Sequence, residues 1–165
     1  MATTGILENA CEPQSLGRGS PDFPKVSFHL EVTLNHPRTA TFLKMTSDKQ
    51  KALYKKMYDI IINRYGPGMC YKSTGAFEYC RSGQVHMHMS LFYCLPHKMV
   101  NIWGTIADMA RLIHSMLPKK YSIFNEKCMD EKYFKYRVPS MCIQFNSLTE
   151  EKRIAEWETY IRKDQ

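Results

Sequence analysis

The sequence predicts an α+β fold, an antiparallel sheet with helices packed on it. Three observations carry this prediction. One strand-like alternation opens the patterned part of the chain, two strand-like runs flank a tight turn, and three amphipathic helical stretches are interleaved with them. The element order reads β-α-β-β-α-β-α, which brings helices onto an antiparallel sheet in a ferredoxin-like layout.

Each element has its own signal. Residues 1–24 are rich in Gly, Pro, Ser and Thr without any period, and read as a flexible leader. "KVSFHLEVTLNHP" (25–37) alternates, with Val26, Phe28, Leu30, Val32 and Leu34 on one face. Ser27, His29, Glu31, Thr33 and Asn35 take the other, so this is a strand with one buried face, stopped by Pro37. "SDKQKALYKKMYDIIINRYG" (47–66) is an amphipathic helix with the stripe Leu53, Met57, Ile60 and Ile61. Ser47 with Gln50 matches a capping box, and Gly66 and Pro67 end the helix.

Residues 69–80 and 84–95 form a strand pair around Arg81, Ser82 and Gly83. A second helix covers 99–117, followed by Pro118. "YFKYRVPSMCIQF" (133–145) supplies one or two further strands. Residues 147–163 close as a third helix, with Ser147 and Glu150 as its cap and Leu148, Ile154, Trp157 and Ile161 as an approximate apolar stripe. No internal repeat is visible.

Bulk properties narrow the function classes. A chain of 165 residues with 44% apolar content makes one globular domain with a real core. No apolar run approaches the roughly 18 residues of a membrane span, and no secretory signal pattern opens the chain. The six cysteines therefore read as thiols, and their irregular spacing without C-x-x-C argues against a zinc ribbon. A net charge of +7 and a pI near 9.1 favour a polyanionic partner.

The strand over 84–95 carries the chemistry. Val85, Met87, Met89 and Leu91 face the core, and His86, His88 and Ser90 face away. Two imidazoles on one strand face can share a metal ion, although an H-x-H pair alone is more often an ordinary surface pair. The turn adds a third group. With Arg81–Gly83 as the loop, Cys80 pairs with Gln84, and Glu78 falls opposite His86 and diagonal to His88. Two imidazoles and a carboxylate suit Mn²⁺ or Mg²⁺ at a phosphate, or a catalytic zinc. On the last helix Tyr160 and Lys163 are three residues apart and share a face. An ammonium beside a phenol favours the phenolate, which is a nucleophile for phosphodiester cleavage.

Other groups read less sharply. Lys49, Lys51, Lys55, Lys56 and Arg64 make a solvated helix face, and Lys119, Lys120, Lys132, Lys135 and Arg137 flank the later strands. His97 and His114 read as structural, His114 as a core histidine. Cys70, Cys80 and Cys94 are set aside as metal ligands, the latter two as several residues removed from the histidine pair.

"VTLNHP" (32–37), "VHMHMSL" (85–91) and "YIRK" (160–163) resemble, in order and spacing, the three motifs of HUH endonucleases. The closer likeness is to the nuclease domain of replication-initiator (Rep) proteins of circular single-stranded DNA viruses. The resemblance covers residues 26–163 and implies an RRM-like HUH endonuclease fold over 25–165. It implies sequence-specific, metal-dependent nicking and rejoining of a single-stranded origin stem-loop, initiating rolling-circle replication. Tyr160 would form a 5′-phosphotyrosine and release a 3′-hydroxyl, with Lys163 orienting the phosphate. Glu78, His86 and His88 would hold Mn²⁺ or Mg²⁺, and Thr33, Asn35, His36 and Arg38 would contact DNA. It further implies action in a host nucleus, no membrane partner, and a homo-oligomer of a longer protein whose helicase domain is not in this sequence. Two other readings remain open: a non-catalytic RRM-like binding module, and a transposase- or relaxase-type HUH enzyme.

Overall fold

The computed structural model describes residues 6–10, 25–35, 44–81, 83–117 and 123–163. Along the chain these build β1 (Ile6–Ala10), β2 (Lys25–Leu34), α1 (Ser47–Ile62), β3 (Cys70–Tyr79) and β4 (Val85–Pro96). They continue with α2 (Ile102–Met116), β5 (Met129–Asp130), β6 (Lys135–Val138), β7 (Met141–Ser147) and α3 (Glu151–Ile161). Seven strands form one sheet in the order β1-β3-β4-β2-β7-β6-β5. Every pairing in it is antiparallel. The inner four, β3-β4-β2-β7, with α1 and α2 are two interlocked βαβ units, which is the predicted ferredoxin-like layout.

The core lies between the sheet and α1–α2. Phe28, Leu30, Val32 and Leu34 of β2 and Val85, Met87, Met89, Leu91 and Tyr93 of β4 pack in one cluster with Tyr54, Met57, Ile61, Ile106, Met109 and Ile113. Burial of each such side chain contributes about 1.5–3 kcal/mol before entropy is counted. Gly75 of β3 faces this layer. A Cβ there would come within 2.6 Å of Met87 Cε and 3.1 Å of the Tyr58 ring, so only glycine lets the helix sit so close. His114 is buried and bonded through Nε2 to Tyr136 Oη at 2.7 Å, as a satisfied core histidine. The five cysteines among the described residues are free thiols. No described helix is long and apolar enough to cross a membrane.

The structure corrects several expectations. Within the segment read as a leader, residues 6–10 form β1 and pair with β3 from Ile6↔Ala76 to Ala10↔Lys72. Leu7 packs against the core and Glu8 pairs with Arg162, but five residues are too few to show a period, so the pattern gave no sign of them. Thr46, not Ser47, caps α1, accepting a bond from Lys49 N–H at 3.3 Å. Ser47 is the first residue of α1, and its hydroxyl donates instead to Gly83 O at 3.2 Å. Ser147 ends β7 rather than capping a helix, and α3 begins at Glu151. Glu150 Oε2 still accepts from Ser147 N–H at 3.1 Å, which is half of the expected box.

The largest correction concerns the face of the sheet opposite α1 and α2. His29 and Glu31 were expected on an exposed face, yet they are 0% and 6% exposed, and Ser90 and Asn146 are buried beside them. α3 lies over this face. Ile154 and Ile161 are buried beneath it, and Trp157 Nε1–H donates to Met89 O at 2.8 Å. The polar groups it covers are connected. Asn146 Nδ2 donates to Glu31 Oε2 (2.6 Å) and to His29 Nδ1 (3.1 Å), which leaves His29 Nε2–H to donate to Ser90 Oγ at 2.6 Å. Arg153 on α3 completes the network with two bonds to the Glu31 carboxylate, at 2.7 and 3.2 Å.

Candidate metal centre and tyrosine site

The β3–β4 hairpin sets the site. Cys80 N–H donates to Gln84 O at 2.8 Å, and Gly83 N–H donates to Cys80 O at 3.0 Å. Gly83 has φ +82°, a left-handed conformation that glycine adopts without strain. The turn pins Glu78 opposite His86 and Ala76 opposite His88, the register expected from the sequence. Each of Glu78, His86 and His88 offers one ligand atom, and these atoms lie within 4.8 Å of one another. The group can hold a metal ion: its donors are two imidazole nitrogens and a carboxylate oxygen, on one rigid hairpin.

The imidazole nitrogens also meet neighbouring side chains. His88 Nε2 lies 3.5 Å from Glu78 Oε1, while its Nδ1 is 3.0 Å from Thr33 Oγ1 on β2. A metal on Nε2 requires the proton on Nδ1, and Thr33 Oγ1 is placed to accept it. His86 Nε2 lies 2.8 Å from Cys80 Sγ. Burial draws the pKa of both histidines below its ordinary value, with Glu78 opposing the shift in each case. They are thus held in the neutral form that ligates metals. For Glu78, burial pushes the carboxyl up, but the Lys163 hydrogen bond and the His88 and Lys163 charges outweigh it, and its pKa falls.

α3 brings the tyrosine. Residues 157, 160 and 163 recur at helical spacing on the face over the hairpin. The Trp157 and Tyr160 rings stack with centroids 5.5 Å apart and planes at 15°. Tyr160 meets His88 edge-on at 5.3 Å, and Trp157 does so at 5.7 Å. Lys163 Nζ lies 2.6 Å from Glu78 Oε2 and 3.9 Å from the Tyr160 ring centroid. Tyr160 is 40% exposed, so its ring borders the three-ligand group and remains open to solvent. A cavity of about 220 Å³ lies beside it, lined by Glu31, Arg153, Glu156, Trp157 and Tyr160.

Five sequence-predicted residues therefore converge: Glu78, His86, His88, Tyr160 and Lys163. Thr33 turns to His88 as described. Asn35 is half-buried and donates through Nδ2 to Pro139 O at 3.3 Å, fastening the end of β2 to the β6–β7 turn. His36 and Arg38 lie outside the described residues. Cys80 was set aside by sequence reading, yet its thiol touches His86. It stands two residues after Glu78 on the same face, which was the available signal. Trp157, which fixes α3 to β4, read only as part of an apolar stripe. Compared with known proteins, the chain matches no family model, no curated protein and no solved structure.

Proposed function

We propose that the protein is a metal-dependent, sequence-specific single-strand DNA endonuclease and strand transferase of the HUH type, of the kind that initiates rolling-circle replication. One observation carries the reading: Tyr160, from the last helix, meets His88 of the three-ligand group at 5.3 Å while Lys163 bonds Glu78. The order of the motifs that supply these residues supports it further, as does the basic charge of +7.

In this reading Tyr160 Oη gives up its proton and bonds to the scissile phosphorus. The bond from phosphorus to the 3′ oxygen breaks, and that oxygen takes a proton and leaves as a 3′-hydroxyl. The strand beyond the break stays attached to Tyr160 by its 5′ phosphate. Attack by a 3′-hydroxyl on the phosphotyrosine reverses the step and rejoins strands. Lys163, with Nζ 3.9 Å from the Tyr160 ring centroid, places a positive charge beside the phosphate as negative charge develops on it. Glu78, His86 and His88 would hold a divalent cation, Mn²⁺ or Mg²⁺ by the resemblance to HUH endonucleases, which would supply Lewis-acid polarisation of the phosphate. Thr33 holds the His88 ring in the ligating orientation, and Trp157 fixes the helix that carries Tyr160.

The RRM-like binding module is less well supported. Such modules stack bases on exposed aromatics of the central strands. Phe92 of β4 is instead packed against His29, Tyr71 and Lys72.

The test is incubation with a randomised single-stranded hairpin pool and Mn²⁺. The expected product is an SDS-resistant protein–DNA adduct, absent with EDTA and absent in Tyr160→Phe. That variant should retain single-strand affinity within a few fold. An adduct that survives in Tyr160→Phe rules out the assigned nucleophile.

A further inference from the structure

We infer that β6 carries a second anion subsite for the same substrate. Lys135 and Arg137 would hold phosphodiester groups of a single strand a few nucleotides from the one at Tyr160. The inference rests on the nuclease reading above and extends it to the path of the strand over the sheet.

The strand register supplies the geometry. One row of paired residues crosses five strands: Ala76, His88, Thr33, Cys142 and Arg137. The adjacent row runs Thr74, Ser90, Glu31, Gln144 and Lys135. Directly paired residues share a face, so Lys135 and Arg137 point to the side that carries His88 and the metal group. Tyr136, between them, points into the core and is buried. Three strand spacings separate β4 from β6, so Arg137 lies about 14 Å across the sheet from His88.

Cover and charge differ between the two rows. α3 lies over the second row, where Arg153 bonds both Glu31 and Gln144. The first row runs alongside it and is partly open: Thr33 and Cys142 are half-buried and Arg137 is exposed. The strip therefore has a small, uncharged floor between a three-ligand group at one end and cations at the other. A cavity of about 410 Å³ opens at the cationic end, lined by Asn35, Arg137, Val138 and Pro139.

Among the described residues, Arg153 is neutralised by Glu31 and Arg64 by Asp108, whereas neither Lys135 nor Arg137 has a carboxylate within ion-pair distance, although Asp130 of β5 stands opposite Lys135 in the register. Their field reaches the middle of the strip, where both oppose the rise that burial imposes on the Cys142 thiol. Unpaired cations one row apart on a flat floor suit successive phosphates of an extended chain, and a single strand can follow a path across the strands that a duplex cannot.

The test is equilibrium binding of fluorescent oligo-dT of increasing length, in EDTA so that nothing is cut, across a range of salt. The unaltered protein should gain affinity once the oligonucleotide is long enough to reach β6. Arg137→Ala should lose that gain, bind about tenfold more weakly, and lower the salt slope by about 0.7, the value for one phosphate contact on a single strand. Lys135→Ala/Arg137→Ala should lower it by about twice as much, and Arg137→Lys should restore it. Lys56→Ala, on α1 across the sheet, should change nothing. An unchanged slope and length gain in the double variant overturns the subsite even if the protein nicks DNA with Mn²⁺. Normal binding behaviour with no nicking under any metal overturns the nuclease reading and leaves the subsite standing. No oligonucleotide binding by the unaltered protein overturns both.

Discussion

Lys163 Nζ sits 2.6 Å from Glu78 Oε2, so the end of α3 grips the one carboxylate of the three-ligand group. Helix and hairpin are thereby joined through a residue that a metal would also need. An ammonium and a divalent cation beside one carboxylate repel each other. Lys163→Met should therefore bind Mn²⁺ a few fold more tightly, a modest gain because the pair is partly solvated. Single-turnover cleavage should slow by about tenfold or more, because the phenol loses its neighbouring charge. Calorimetry and rapid-quench kinetics read the two effects separately. Weaker metal binding in this variant would mean that Lys163 shapes the site rather than competing for it.

Thr33 should matter through His88. Thr33→Val keeps the volume and removes the hydroxyl that faces Nδ1 at 3.0 Å. Loss of such an outer partner costs about 10–100-fold in metal affinity in comparable sites. Thr33→Ser should recover most of it. Equal Mn²⁺ affinity in the valine variant and the unaltered protein rejects the role.

His29 should make stability fall in mild acid. Burial, then the Lys72 and Arg153 charges, draw its pKa from the ordinary 6.5 to about 4. Between these values the unfolded chain takes up a proton that the folded chain refuses, so stability is full above pH 6.5 and declines as pH falls toward 4. The loss attributable to this residue is at most about 3 kcal/mol. Urea unfolding at pH 7 and pH 4.5 should show a larger drop for the unaltered protein than for His29→Gln. Parallel drops in the two proteins would remove His29 from the account.

Gly75→Ala should destabilise by about 1–3 kcal/mol, since its Cβ would enter the layer between Met87 and Tyr58. Met87 Cε can swing aside, but the Tyr58 hydroxyl is bonded to Ser73, so the ring resists. Denaturant titration measures the cost. A change below about 0.3 kcal/mol would mean that the helix shifts freely.

The hairpin was legible because a three-residue loop fixes register, and register fixes which side chains meet. Glu78 opposite His86 follows from Arg81, Ser82 and Gly83 alone. The alternation of β2 and β4 likewise named the core face correctly. The position of α3 was not legible. Its apolar stripe requires a partner surface but does not say which face of the sheet provides it, and so His29, Glu31 and Ser90 were expected in solvent. The same gap hid Trp157 and the Arg153–Glu31 bond. The cap of α1 slipped by one residue because Thr46 and Ser47 are both hydroxyl residues and either can accept from the first turn. β1 escaped because it is a five-residue edge strand whose one core contact, Leu7, makes no period.

The sheet tapers at both rims. Its inner strands β3 and β4 run 10 and 12 residues, whereas the outermost, β1 and β5, run five and two. Among the described residues, an incoming strand of another molecule would find few free amides in line on either side, and extended edges are where sheets of separate molecules zip together. Deleting residues 1–10 would bare the flank of β3, which carries Glu78. The first sign of such a deletion should be lateral self-association rather than unfolding, with the hairpin of the three-ligand group at the seam.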